Sequence, residues 1–343
     1  MLGQRGCRLL TGVVLHGYDA VLMENRRLAI WVLPGKGSDI VQFLYKPRDV
    51  DVTWSTVWGL RQNAGVSRDF VGQYEGGWQE IFPNGGMPSD YQGARLGQHD
   101  EVARLPWQWR VVEDTASRVS IRLTVELVKT PFRLEKLLTL ESESGLLISE
   151  TVTNLSSTVQ SAMWGHHLAF GPPFLSSNTQ IETTARTVIV TDEPIAPRRY
   201  RAGSYSWPWV LGVEGSRHDL SRVPKRDGTR DIVYLTDFDT GGYRLFDPDC
   251  GLAFSASWDA HVLPYCWYWQ ELGASGYPWY GRHYNIGLEP FGGYPTHGLG
   301  EAMENGSALQ LRGEEVRCLD MVLDVRECHV DSSLGARDIR SKD

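Results

Sequence analysis

Two adjacent imidazoles, His166 and His167, stand in the stretch SAMWGHHLAFGPPF (161–174), among small and apolar residues with few charges nearby. A lone carboxylate, Glu289, stands in a comparable setting in NIGLEPFGG, immediately before Pro290. A residue that precedes proline is held extended, so this carboxylate is presented on stiff backbone. Phe291 and the pair Gly292–Gly293 follow and leave room for close approach of a ligand. Apolar surroundings disfavour the ionised form of a carboxylate and raise its basicity. A third candidate, His99, follows a Gly-rich loop in RLGQHDEVARLPWQW. A carboxylate base, an imidazole acid and flat aromatic rings suit chemistry on a sugar hemiacetal. One proton leaves the anomeric hydroxyl and one is delivered to the ring oxygen. The ring opens to an aldehyde, rotates about C1–C2 and closes again. Such a reaction needs neither a metal nor a redox cofactor.

On a strand, successive side chains point to opposite faces, so His166 and His167 cannot share one pocket. A metal site on a β scaffold would more naturally use His-x-His, and no ligand triplet lies nearby. One ring is therefore expected to face a cavity and the other to pack. The pair alone does not say which is which. The chain also carries 13 Trp and 14 Tyr. Their rings fill large β cores, and they also serve as platforms for the C–H face of a sugar. Two other readings compete with the isomerase. One is a non-catalytic carbohydrate-binding or sensing protein on the same scaffold. The other is a metal-dependent cupin-like enzyme, for which only the histidine pair speaks.

Strict alternation dominates the elements that must hold these groups. In RVSIRLTVELVK, Val119, Ile121, Leu123, Val125 and Leu127 share one face, and FRLEKLLTLE (132–141) and LLISETVTN (146–154) continue the pattern. Turn residues separate the three, which predicts consecutive antiparallel strands, with Asn154 as a turn residue. Strands are also expected over Tyr18–Met23, Leu28–Leu33 and Ile40–Tyr45, and in EVRCLDMVLDVRE near the end. There is no convincing long amphipathic helix. The expected fold is all-β, a large antiparallel β-sandwich or barrel. No linker divides the chain, so one domain over 1–330 is expected, with a frayed polar tail over 331–343. Two long stretches, 46–98 and 263–300, do not alternate and are rich in Gly, Pro and aromatics. Long loops on a rigid scaffold are where binding sites are usually built.

The formal net charge over 343 residues is −8 and no basic run appears, which argues against nucleic acid or an anionic membrane as partner. No apolar run approaches the length of a membrane span. Five scattered cysteines without a CxxC pair argue against a disulfide framework or a structural zinc site, and suggest a reduced, cytoplasmic setting. The N-terminal apolar run, Leu9–Leu15, lacks the flanks of a signal peptide.

Several segments, in order, resemble the aldose 1-epimerase (galactose mutarotase) superfamily, in its divergent bacterial branches. YDAVLMENRRLAIWVLPGKGSDIVQFLYK looks like the first strands of that family, and GGWQEIFPNGG is similar to its early Gly-rich pocket loop. HDEVARLPWQW resembles a segment with a substrate-binding histidine, which would be His99. TVTNLSSTVQSAMWGHHLAFG resembles the segment whose acid histidine lies three residues before an aromatic, which selects His167, three before Phe170. NIGLEPFGG resembles the segment of the general base, which selects Glu289. The resemblance implies a β-sandwich fold, a cofactor-independent isomerase and a sugar as its small-molecule partner. Around these residues, Arg104, Asn84, Trp78, Asp259 and Trp269 are candidates for substrate contacts. Arg104 would hydrogen-bond a hydroxyl or an anionic substituent. Asn84 and Trp78 would line the mouth, and Trp269 would form a platform.

Overall fold

The alternation of the sequence becomes antiparallel pairing in a computed structural model that describes residues 6–61, 69–192 and 198–328. The tail expected over 331–343 lies outside the described residues. The strands Arg118–Glu126, Phe132–Glu141 and Leu146–Asn154 pair in sequence order, with Val119 opposite Leu140 and Leu138 opposite Ile148. They belong to an eight-stranded sheet. The C-terminal strand Val316–Glu327 is inserted in that sheet between Leu146–Asn154 and Leu252–Trp258. Asn154 closes its turn as expected. Its amide donates to the carbonyls of Thr158, Leu311 and Arg312 at 2.7, 3.2 and 2.9 Å.

A second sheet has twelve strands. It begins with Arg8–Leu15 and continues through the hairpins of Tyr18–Glu24, Leu28–Leu33 and Asp39–Tyr45. It then runs in space through Trp78–Ile81, Gly165–Phe170, Asn285–Phe291, Tyr265–Glu271 and Arg230–Thr236. The inner faces of the two sheets interdigitate in one apolar core. Phe254 of the smaller sheet meets Phe43 and Phe170 of the larger at ring-centroid distances of 5.8 and 5.0 Å. Truncating such a buried ring to Ala costs about 3–5 kcal/mol.

The outer face of the larger sheet is covered as well. Loops bring Trp54, Phe70, Tyr74 and Trp279 over Trp267 and Phe291 in a second apolar cluster. Every residue of Gly165–Phe170 and of Asn285–Phe291 is therefore buried. A strand buried on both faces has no reason to alternate in hydropathy. This explains why the histidine and glutamate segments read as apolar runs rather than as alternating strands. Among the described residues, no helix is long and apolar enough to cross a membrane.

Candidate functional site

The floor of the site is three neighbouring strands. The histidine strand Gly165–Phe170 pairs with the glutamate strand Asn285–Phe291, which pairs with the tryptophan strand Tyr265–Glu271. The pleat sends His166, Leu168 and Phe170 inward and His167 and Ala169 outward. Glu289 and Trp267, directly opposite each other, also face outward. His167, Glu289, Trp267 and Trp269 floor a cavity of about 230 Å³, with His99, Tyr74, Phe70 and Trp279 brought over it by loops.

His167 Nε2 lies 3.7 Å from Glu289 Oε1. Glu289 is 1% exposed, and its Oε1 accepts no hydrogen bond. Burial pushes this carboxyl well above the ordinary range. The space it occupies exists because residue 287 is glycine: a Cβ there would stand 2.2 Å from Glu289 Oε1. Burial holds His167 down, to about 4, so the ring is neutral near pH 7. The Tyr74 hydroxyl lies 3.3 Å from His167 Nδ1. Burial, and secondarily Glu289, push that phenol well up, so it keeps its proton. A hydroxyl that donates to Nδ1 leaves the ring hydrogen on Nε2, the nitrogen facing Glu289.

His99 completes the group, its ring centroid 5.2 Å from that of His167 and 4.6 Å from that of Phe70. Burial, then the nearby His167, hold its pKa well below the usual value. The Gly86 N–H donates to its Nδ1 at 3.1 Å, which puts the ring hydrogen on Nε2. His99 adopts a left-handed backbone (φ 49°), a conformation uncommon outside glycine. Neighbouring bonds hold it there. Asp100 pairs with Lys129 and Arg104 and accepts from Gly97 N–H. Glu101 accepts from the N–H groups of Val128 and Lys129 at 2.8 and 2.7 Å.

His166 serves the opposite face. The Trp78 indole donates to its Nδ1 at 3.2 Å, and its Nε2 lies 3.1 Å from Glu150 Oε2. Glu80 and Lys136 complete a charged cluster inside the sandwich, with Lys136 Nζ 2.5 Å from Glu80 Oε2 and 3.5 Å from Glu150 Oε1. Burial and Glu150 push Glu80 up to about 7. Burial also acts to raise Glu150, but His166 and Lys136 outweigh it and hold the carboxyl down at about 2. Donor atoms of Glu80, Glu150 and His166 come within 4.8 Å of one another, a grouping that would suit a metal ion. The ammonium of Lys136 already supplies positive charge there.

Of the sequence-derived candidates, His167, Glu289, His99 and Trp269 line one cavity. Four do not. Trp78, expected at the mouth, points into the core from the inner face and binds His166. Asn84 is fully buried and fastens loops together. It donates to Met87 O and Gly97 O at 2.9 and 2.7 Å and accepts from Leu299 N–H at 2.7 Å. Arg104 turns to Asp100, 3.6 Å away, because that buried carboxylate needs a counter-charge. Asp259 caps its own turn, accepting from His261 N–H at 2.8 Å, and borders a separate depression with Asp237 and His261. Sequence reasoning missed Tyr74, Phe70 and Trp279. The first two share a one-turn helix and its cap, i and i+4, just before Gly76–Gly77. That spacing within a non-alternating stretch was the available signal.

A family model described as "Domain of unknown function (DUF4432)" matches residues 15–325. The chain belongs to the DUF4432 family. No curated protein gives a significant sequence match. Solved structures share the fold. The Slr1438 protein of Synechocystis is 17% identical, with 92% of this chain and 97% of that one covered and a TM-score of 0.65. A galactose mutarotase-like protein of Clostridium acetobutylicum is 12% identical, with 94% and 99% covered and a TM-score of 0.66. A galactose mutarotase related enzyme of Lactobacillus acidophilus is 14% identical, with 89% and 97% covered and a TM-score of 0.59. The fold of this DUF4432 chain is thus the galactose mutarotase-like β-sandwich, in agreement with the fold class expected from the alternation.

Proposed function

We propose that this DUF4432 protein is a cofactor-independent, cytoplasmic isomerase that interconverts the anomers of a sugar. The observation that carries the reading is the buried, unpartnered Glu289 Oε1, 3.7 Å from His167 Nε2 on the floor of a sugar-sized cavity. The pair shares one proton, and with that proton on His167 the Glu289 carboxylate removes the proton from the anomeric hydroxyl while the imidazolium Nε2–H gives its proton to the ring oxygen. The C1–ring-oxygen bond breaks, leaving an aldehyde and a free hydroxyl. Rotation about C1–C2 presents the other carbonyl face. Glu289 then returns its proton to the carbonyl oxygen while His167 takes back the hydroxyl proton, and the ring closes as the other anomer. Both groups end as they began, so the site needs no external donor.

Each group is tuned toward its task. Exclusion of water raises the basicity of Glu289, and the depressed pKa of His167 makes its protonated form a ready proton donor. His99 Nε2–H supplies a fixed donor for a hydroxyl, and Trp269 offers a platform for the C–H face. Saturation-transfer NMR of anomer exchange on a panel of aldoses tests the reading. Glu289→Gln should slow exchange by about 10²–10⁴-fold, the usual contribution of a general base. Exchange at the wild-type rate in that variant would overturn the assignment. Calorimetric binding without any acceleration would favour a sugar-binding protein instead.

A further inference from the structure

We propose that His283, which stands outside the cavity, is a positioning residue that holds the Trp279 indole in place as part of the cavity wall. The inference goes beyond the sugar reading and rests on it only for the kinetic half of its test.

Trp279 lines the cavity, but it belongs to the loop between the tryptophan strand and the glutamate strand. Its neighbours Tyr277 and Tyr280 are exposed. Backbone bonds from Trp279 N–H to Gly276 O and from Gly281 N–H to Ala274 O shape the loop. Others tether it. Glu271 Oε1 accepts from Ala274 N–H at 2.8 Å, and the Arg230 guanidinium donates to Tyr277 O at 3.1 Å. Such bonds fix the course of the main chain. The rotamer of the indole is left to packing.

That packing converges on His283. The residue is 2% exposed and lies two positions before the glutamate strand. Its ring centroid is 5.0 Å from that of Trp279, 5.1 Å from that of Trp54 and 5.2 Å from that of Trp58, edge to face with each. Trp58 stacks on Trp279 at 5.8 Å, with the planes 9° apart. Trp54 is the anchored member. Its N–H donates to Ala169 O of the histidine strand at 2.8 Å. Its indole fills the space over Gly171, where a Cβ would stand 2.3 Å from Trp54 Cδ1. Contacts thus run from the histidine strand through Trp54 and His283 to Trp279.

The imidazole adds a bond to these ring contacts. Val57 N–H donates to His283 Nε2 at 3.3 Å and ties the loop that carries Trp58 to the same ring. Burial, then Arg282 and Arg226, hold His283 at about 4, so near pH 7 Nε2 keeps the lone pair that this bond needs. Phenylalanine would supply the ring without the acceptor, and glutamine the acceptor without the ring. The two substitutions separate the contributions.

The test is a double-mutant cycle between His283 and Trp279 in the full chain, read by anomer-exchange kinetics and by nuclear Overhauser contacts. The contacts followed are those of the Trp279 indole with the rings of Trp269 and Tyr74, whose centroids lie 6.0 and 6.2 Å away. His283→Gln should weaken both contacts and raise KM by about 2–13-fold, the factor for one lost aromatic contact, while kcat changes by less than about twofold. His283→Phe should recover most of that loss. In a Trp279→Ala background His283→Gln should have no further effect, because the residue acts through that indole. A lowered kcat at unchanged KM, additive losses in the cycle, or Overhauser contacts untouched in His283→Gln would overturn the inference. If only His283→Phe folds, contacts and KM as far from wild type as those of Trp279→Ala would overturn it as well. A wild-type chain that exchanges no sugar would remove the isomerase reading, and the Overhauser contacts of the two variants would still decide the role of His283.

Discussion

Tyr74→Phe isolates the part played by one hydrogen bond. Phe keeps the ring contacts with Phe70 and His167, at centroid distances of 5.3 and 5.1 Å, and deletes only the hydroxyl 3.3 Å from His167 Nδ1. A buried neutral hydrogen bond contributes about 0.5–1.5 kcal/mol net, a factor of about 2–13 in any equilibrium it biases. The equilibrium here is the position of the ring hydrogen. With the hydroxyl in place it favours Nε2, the nitrogen that must deliver a proton. Without it the hydrogen redistributes toward Nδ1, and the productive fraction falls by up to that factor. Nitrogen-15 NMR of labelled histidine should show His167 chiefly as the Nε2–H form in the wild type and as a mixture in Tyr74→Phe. The variant's kcat for anomer exchange should fall by up to about tenfold while KM moves little, because bound sugar meets the same walls. If the nitrogen shifts of His167 are the same in both proteins, Tyr74 does not set the tautomer and the reasoning fails.

Four further outcomes follow from the same geometry. Gly287→Ala should abolish exchange while the chain still folds, because the new Cβ would occupy the place of Glu289 Oε1, 2.2 Å away; full activity would show that the carboxylate has room to move. Glu289→Gln should raise Tm at pH 8 and lose that gain as pH falls toward 4.5, since the raised carboxyl destabilises the fold only where the unfolded chain would ionise it; thermal melts across pH check this. His167 has the opposite sign. Its pKa is about 4 in the fold against 6.5 as a free side chain, so stability falls as pH drops between those values, by about 3 kcal/mol, and His167→Asn should flatten that part of the curve in denaturant titrations. Lys136→Met should cost about 3–5 kcal/mol by leaving buried carboxylates uncompensated, and it should do so at unchanged kcat in the folded fraction.

The fold was largely legible because half-buried strands advertise themselves. Phe132–Glu141 and Leu146–Asn154 fall where their alternation places them. The site's own strands were harder to read, because burial on both faces erases the alternation. The single-residue choice between His166 and His167 came from the spacing to Phe170, and the pleat gives it its physical meaning. Side chains held by contacts distant in sequence were not legible. Asn84 reads as a polar loop residue, but it binds a backbone N–H from Leu299. Asp259 reads as a pocket carboxylate, yet its partner is two residues away. Lys136 and Glu150 did leave a trace, as charges on otherwise apolar strand faces. That pattern marks a polar group with a partner across the core, a partner that only the tertiary structure names.

The cluster of Glu80, Lys136, Glu150 and His166 also bears on how the sheets find their alignment. Lys136 and Glu150 are directly opposite each other on adjacent strands. A hairpin slipped by two residues would keep every Leu, Ile and Val on the inner face, so hydrophobicity alone hardly distinguishes it from the native pairing. The slip would set Lys136 against Ile148 or Val152 and leave charges without counter-ions in a dry interior, which costs several kcal/mol. Four buried polar side chains thus act as an alignment key, and mispaired sandwiches are discouraged before the loops that shape the cavity settle into place.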